Sequence, residues 1–90
     1  MTAYCDPMPI VRRARYAKNM ALVLCPSDGS GFRTRASFLC EAIKGRYSNR
    51  EKGWIMSPRK MLKVMRAWTI GHLRIREMYE HRELLAECEA

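Results

Sequence analysis

Cys25-Pro26-Ser27-Asp28-Gly29-Ser30-Gly31-Phe32-Arg33 is the stretch whose residue types come nearest to chemistry. A strand that runs into a glycine-rich loop and then a helix start is one way to cradle phosphate. Free backbone N–H groups face outward there, and the helix dipole favours an anion. Neither of two catalytic versions fits. A Walker loop closes on Gly-Lys-Ser/Thr, whereas this one closes on Gly31-Phe32-Arg33. A cysteine-phosphatase loop would need its arginine where Gly31 stands, and Arg33 comes too late. We expect a capped turn, with a noncatalytic anion site as the alternative.

Other nucleophiles, bases and metal ligands are sparse. The four cysteines, Cys5, Cys25, Cys40 and Cys88, form no C-x-x-C pair, and neither His72 nor His81 stands at zinc-finger spacing from them. We expect no metal and no cofactor, and read the cysteines as reduced thiols, Cys40 serving as a small hydrophobe on a helix face. His81 lies among Glu77, Glu80 and Arg82 and reads as a surface residue. With no Ser-His-Asp set and no paired carboxylates, the expectation is a protein that is not an enzyme.

Charge is more informative. Seventeen Lys and Arg face nine Asp and Glu, a formal net charge of +8. Residues 1–76 hold 16 of the basic side chains and 4 of the acidic ones, while residues 77–90 hold Arg82 against Glu77, Glu80, Glu83, Glu87 and Glu89. So basic a domain attracts polyanions, nucleic acid first and an acidic protein surface next. Helix N-termini normally favour acidic neighbours. Here one predicted helix opens with Arg33 and Arg35 and the next with Arg59 and Lys60, which suggests that an external phosphate completes the electrostatics. The candidate anion-binding set is Arg33, Arg35, Arg46, Arg50, Lys52, Arg59, Lys60 and Lys63. Tyr47, Trp54 and Trp68 are candidate partner-binding aromatics, with core packing as their alternative fate.

The elements that must position these residues follow from spacing. Residues 1–19 form a basic N-terminal segment. Ile10, Ala14 and Ala17 keep helical spacing with Arg12, Arg13, Arg15 and Lys18 across from them, and a flexible arm fits equally well. Met20 to Leu24 reads as a short buried strand stopped by Pro26. Phe32, Ala36, Leu39, Cys40 and Ile43 trace one face of a helix capped by Ser30 or Thr34, with Gly45 as its left-handed stop. Arg46–Ser48 and Trp54–Met56 read as a hairpin in which Gly53 takes positive φ. Ser57-Pro58 opens a helix whose buried stripe is Met61, Leu62, Met65 and Trp68. A charged, acidic helix is expected over 72–90. The fold class is thus α+β: a three-stranded sheet packed on two helices within a 20–71 core, plus the C-terminal helix.

At 90 residues the chain has room for one domain. Its longest apolar run, Met20 to Cys25, is far below the roughly 18 residues that span a bilayer. Asp6, Pro7 and Pro9 interrupt the start, so we expect no secretory leader, no membrane contact and a cytoplasmic location.

Leu24 to Pro58 resembles small proteins of phages and prophages. The matching pieces are Cys25-Pro26-Ser27-Asp28-Gly29-Ser30-Gly31-Phe32, Thr34-Arg35-Ala36, Gly45-Arg46-Tyr47, Arg50-Glu51-Lys52-Gly53 and Trp54-Ile55-Met56-Ser57-Pro58. The resemblance implies a phage-type origin in a bacterial host, and carries no established activity. Such proteins commonly look like nucleic-acid handlers or compact inhibitors of a host enzyme or defence complex. We therefore expect a noncatalytic module that binds nucleic acid through phosphate contacts, or one whose basic face docks on an acidic host protein. Homo-oligomers through the acidic helix are a further expectation.

Overall fold

A computed structural model describes residues 4–71. The elements are β1 (Ile10–Arg13), β2 (Ala21–Leu24), α1 (Arg35–Ala42), β3 (Arg46–Ser48), β4 (Gly53–Met56) and α2 (Pro58–Gly71). The fold is α+β, with four strands rather than the three expected. All neighbours are antiparallel, in the order β1-β2-β4-β3. The acidic helix expected over 72–90, and the oligomer contact placed on it, lie outside the described residues.

The added strand is β1, in the segment read as a helix or an arm. Ile10-Val11 supplies β-branched residues that suit a pleated strand, and every residue of β1 pairs with one of β2. Its four residues are all exposed, as an edge strand's can be. The arginines that made the segment look helical or unstructured suit such an edge, because charge there discourages pairing with another chain. Asn19, at φ 60, turns the chain into β2.

Residues directly opposite one another on neighbouring strands project from the same face. One row runs Val11–Val23–Trp54–Tyr47 and faces the helices, while the next runs Arg12–Leu22–Ile55–Arg46 and faces away. On the helix side Val23, Leu39, Cys40, Met56, Val64 and Ala67 form the main core. Fully burying a side chain such as Val23, Leu39 or Val64 contributes about 1.5–3 kcal/mol. On the other side Ala14, Leu22 and Ile55 form a smaller cluster, with Ala17 and Met20 packed on it. The connection between β1 and β2 therefore folds back over the sheet.

α1 begins where Thr34, not Ser30, caps it: Thr34 Oγ1 accepts a hydrogen bond from Ser37 N at 3.1 Å. Phe32 lies outside the helix and is exposed, whereas Ala36, Leu39 and Cys40 form the buried face. In α2, Ser57 Oγ accepts from Lys60 N. The buried stripe there is Val64 and Ala67 flanked by Met61 and Trp68, while Leu62 is exposed.

Both expected glycine positions are displaced by one residue. Gly45 N donates to Cys40 O at 2.9 Å and Lys44 N to Glu41 O at 2.9 Å, which is the Schellman pattern with Lys44 as its left-handed residue. Lys44 has φ 62 and Lys52 has φ 56, whereas neither Gly45 nor Gly53 is left-handed. An L-residue in that region carries roughly 1–2 kcal/mol of strain. We expect Lys44→Gly to raise stability by about 0.5–1 kcal/mol, measured as a higher urea midpoint at constant m-value. A lower midpoint would show that Lys44 makes a compensating contact.

Candidate nucleic-acid interface

The loop 27–32 is a self-contained turn. Gly29 N donates to Ser27 Oγ at 3.1 Å, Ser30 N to Asp28 Oδ1 at 2.8 Å and Phe32 N to Ser30 Oγ at 3.2 Å. Gly29 and Gly31, at φ 84 and 86, supply the left-handed corners. Those N–H groups are spent on the loop's own side chains. The Ser30 hydroxyl and its N–H hold the Asp28 carboxyl below its usual range, so the loop carries a negative charge. The capped turn is the arrangement observed, and a phosphate cradle is not.

The start of α1 is closed to an outside anion as well. Arg35 N donates to Cys5 O at 2.8 Å, and Ser37 N is held by Thr34. Arg35 points inward and is 0% exposed. Its Nε donates to Asp6 Oδ1 at 2.9 Å and its Nη2 to Trp68 O at 2.6 Å. The guanidinium stands 5.2 Å from the Trp68 ring centre, and Trp68 Nε1 donates to the same Asp6 Oδ1 at 2.8 Å. Arg35 is thus a structural arginine, unable to reach a phosphate outside. Trp68 is half-buried in the same network. Arg33 is exposed but engaged: it pairs with Glu41, donates to Ser37 and stacks on Phe38 at 4.3 Å. The carboxylates missing from the helix's first turn are provided by the N-terminal segment and by the end of α1.

This arrangement consumes the acids. Of Asp6, Asp28, Glu41 and Glu51, two pair with arginines and Asp28 holds its own loop. Glu51 accepts the backbone N–H of Arg15 at 2.6 Å and of Tyr16 at 3.4 Å. Among the described residues no carboxylate pairs with Arg12, Arg13, Arg15, Arg46, Arg50, Lys52, Arg59 or Lys60.

The eight expected anion-binding residues do not gather at the helix starts. Arg46 lies at one end of the outward row whose other end is Arg12, separated by the Leu22 and Ile55 positions. At roughly 4.8 Å per strand, those two backbones stand about 14 Å apart. Arg50 stacks over the exposed Tyr16 ring at 3.9 Å, and Glu51 pins the segment bearing that ring to the hairpin. Arg59 and Lys60 are exposed on the first turn of α2, and Lys63 follows half-buried. A hollow of about 480 Å³ places Arg12 and Arg13 beside Pro58 and Met61, so the cations at the start of α2 adjoin the β1 edge. Lys52 lies on the helix side of the sheet, where it lines a cavity of about 320 Å³ with Arg33, Cys25 and Thr34.

Of the aromatics, Tyr47 is exposed and meets Trp54 edge-on at 5.4 Å between ring centres. Trp54 itself packs partly against the main core. Tyr16, Arg12 and Arg15 were not among the expected site residues. An aromatic inside the run Arg12-Arg13-Ala14-Arg15-Tyr16 was the available signal. No family model, no curated protein and no solved structure gives a match to this chain. Among the described residues no helix is long and apolar enough to cross a membrane.

Proposed function

We propose that this protein is a noncatalytic nucleic-acid-binding module that holds a phosphate backbone across the sheet face turned away from the helices. One observation carries the reading. Among the described residues the four acids pair with Arg33 and Arg35 or accept backbone N–H groups, and none forms a salt bridge with Arg12, Arg15, Arg46 or Arg50. Arginines not held in such salt bridges act on what lies outside, and phosphate backbones are bound by arginines in this way. Tyr16 adds an exposed ring, already stacked on Arg50, on which a splayed base can stack. Arg59 and Lys60 extend the surface past the β1 edge, and Lys63 is the next cation along that helix. Tyr47 and Lys52 lie on the helix side of the sheet and fall outside this face. The phage-type resemblance of Leu24 to Pro58 fits such a module in a bacterial cytoplasm.

Fluorescence anisotropy with labelled single- and double-stranded DNA and RNA over a salt series tests the reading. The charge-reversed pair Arg12→Glu with Arg46→Glu should weaken binding by about ten- to a hundredfold at low salt. It should also flatten the log–log salt slope by about 1.4–1.8, as expected for two lost phosphate contacts. Arg59→Glu with Lys60→Glu should have a smaller effect in the same direction. Unchanged affinity in the first variant would refute the sheet face as the binding surface. A single host protein retained after nuclease treatment, and lost in that variant, would instead assign the face to a host-protein inhibitor.

A further inference from the structure

β1 closes one side of the sheet, with β2 as its single neighbouring strand. One bond fixes which of its backbone groups face outward. Ala14 N donates to Met20 O at 2.9 Å, and that pair continues the β1–β2 register beyond Arg13 and Ala21. Along an antiparallel ladder, residues bonded to the neighbouring strand alternate with residues that are not. Ile10 and Arg12 therefore bond to β2, whereas Val11 and Arg13 turn both N–H and C=O away from it. Among the described residues no hydrogen bond reaches those four groups. An edge of this kind is a template for one more strand.

The surroundings define which strand fits. Val11 and Arg13 project on the helix side of the sheet, yet both are exposed. The hollow of about 480 Å³ adjoins them, lined by Val11, Ala21, Pro58 and Met61 among others, and it gives room to an apolar side chain. Arg12 projects on the opposite face. None of the hollow's lining residues is acidic, and Arg59 and Lys60 stand exposed on the adjoining first turn of α2. Two copies of β1 brought edge to edge would set these arginines against one another, which is destabilising. An acidic strand meets the opposite condition. The charge that keeps a second copy off the edge thus selects its partner.

We propose that the β1 edge is a docking site for an extended acidic segment of another protein, which adds to the sheet beside β1. Its main chain bonds to Val11 and Arg13. Its apolar side chains enter the hollow beside Val11 and Met61, and its carboxylates lie on the other face against Arg12. Arg13, Arg59 and Lys60 add attraction at longer range. The ladder supplies affinity, and the alternation of side chains supplies specificity. The site does not rest on the nucleic-acid reading, because Val11, Met61 and the outward backbone groups take no part in the phosphate-binding face.

The test follows the fluorescence anisotropy of a short labelled peptide of alternating glutamate and valine mixed with the full chain. Val11→Pro removes an outward N–H and no internal bond, a change that edge strands tolerate. With the native circular dichroism retained, it should weaken binding at least about tenfold through the lost ladder bond and the bulk of the ring. Two further peptides decide the matter whether or not that variant folds, one N-methylated on its valines and one on its glutamates. A strand offers alternate N–H groups to opposite sides, so one of the two should lose binding and the other keep it. Arg12→Glu with Arg13→Glu should reverse the preference toward a lysine–valine peptide. Unchanged binding in folded Val11→Pro protein, or loss with both methylated peptides or with neither, would overturn the strand pairing. Equal binding of the lysine–valine peptide by the parent protein would overturn the acidic partner. A dimer in sedimentation that Val11→Pro dissolves would give the edge to a second copy instead.

Discussion

Replacing Asp6 by alanine should destabilise the protein by about 3 kcal/mol, the low end of what breaking a buried ion pair costs. One carboxylate oxygen accepts from Arg35 Nε at 2.9 Å and from Trp68 Nε1 at 2.8 Å. It thus joins the N-terminal segment, the first turn of α1 and the last part of α2. Arg35 is 0% exposed, and its Nη1 already has no hydrogen-bond partner. Without Asp6 the guanidinium would be left as a buried charge with only the Trp68 carbonyl, and the indole N–H would lose its acceptor. The Asp6 side chain is 28% exposed, which lets water relieve part of the loss and argues for the low end of the range. For a domain of this size the change corresponds to a fall in Tm of about 12–24 °C.

The Arg33–Glu41 pair sets the contrast. Its side chains are 40% and 43% exposed, and Glu41→Ala should cost no more than about 1 kcal/mol. Urea unfolding of both variants separates a buried charge from a solvated one. A control isolates the mechanism: adding Arg35→Met to Asp6→Ala should recover much of the loss, because an apolar side chain of similar length needs no counter-charge. If Asp6→Ala unfolds within 1 kcal/mol of the parent protein, the network is not what holds these three segments together.

The same network shows where sequence reading stopped. Arg33 and Arg35 at a helix start, with no acid in the first turn, suggested an anion from outside. The anions come from within, and no local spacing reports a pair such as Arg35 with Asp6, 29 positions apart. Features set by adjacent residues were legible: the Thr34 cap, the Ser57-Pro58 helix start, and the buried run of Ala36, Leu39 and Cys40. Ile10–Arg13 was not, because an edge strand exposed along its length lacks the alternation that marks a half-buried one. The candidate surface was legible in part. Arg46 and Arg50 carry over from the charge reading, whereas Arg12 and Tyr16 become neighbours of that surface only once the connection between β1 and β2 folds back over Leu22 and Ile55.

Gly53→Ala sets two physical effects against each other. A glycine inside a strand is weak on conformational grounds, so alanine by itself should add about 0.5–1 kcal/mol of stability. The site opposes this. A Cβ at position 53 would lie 2.8 Å from Leu22 Cδ1, 2.8 Å from Leu24 Cδ2 and 2.9 Å from Val23 O. The leucine methyls are side-chain ends and can turn aside. Val23 O belongs to the β2 backbone paired with β4, so it can retreat only by widening that ladder. Overpacking of this kind costs about 1–3 kcal/mol, and the backbone contact puts Gly53→Ala at the upper end, a net loss of about 2 kcal/mol. Gly45→Ala calibrates the estimate: its Cβ would lie 3.1 Å from Met56 Cε, a flexible end, and 3.1 Å from Cys40 O, so its loss should be the smaller of the two. Urea midpoints for the two variants decide the order. If Gly53→Ala matches or exceeds the parent in stability, β2 and β4 are not held at the observed separation. The row Arg12–Leu22–Ile55–Arg46 would then lose its fixed spacing, and the proposed phosphate-binding face its geometric basis.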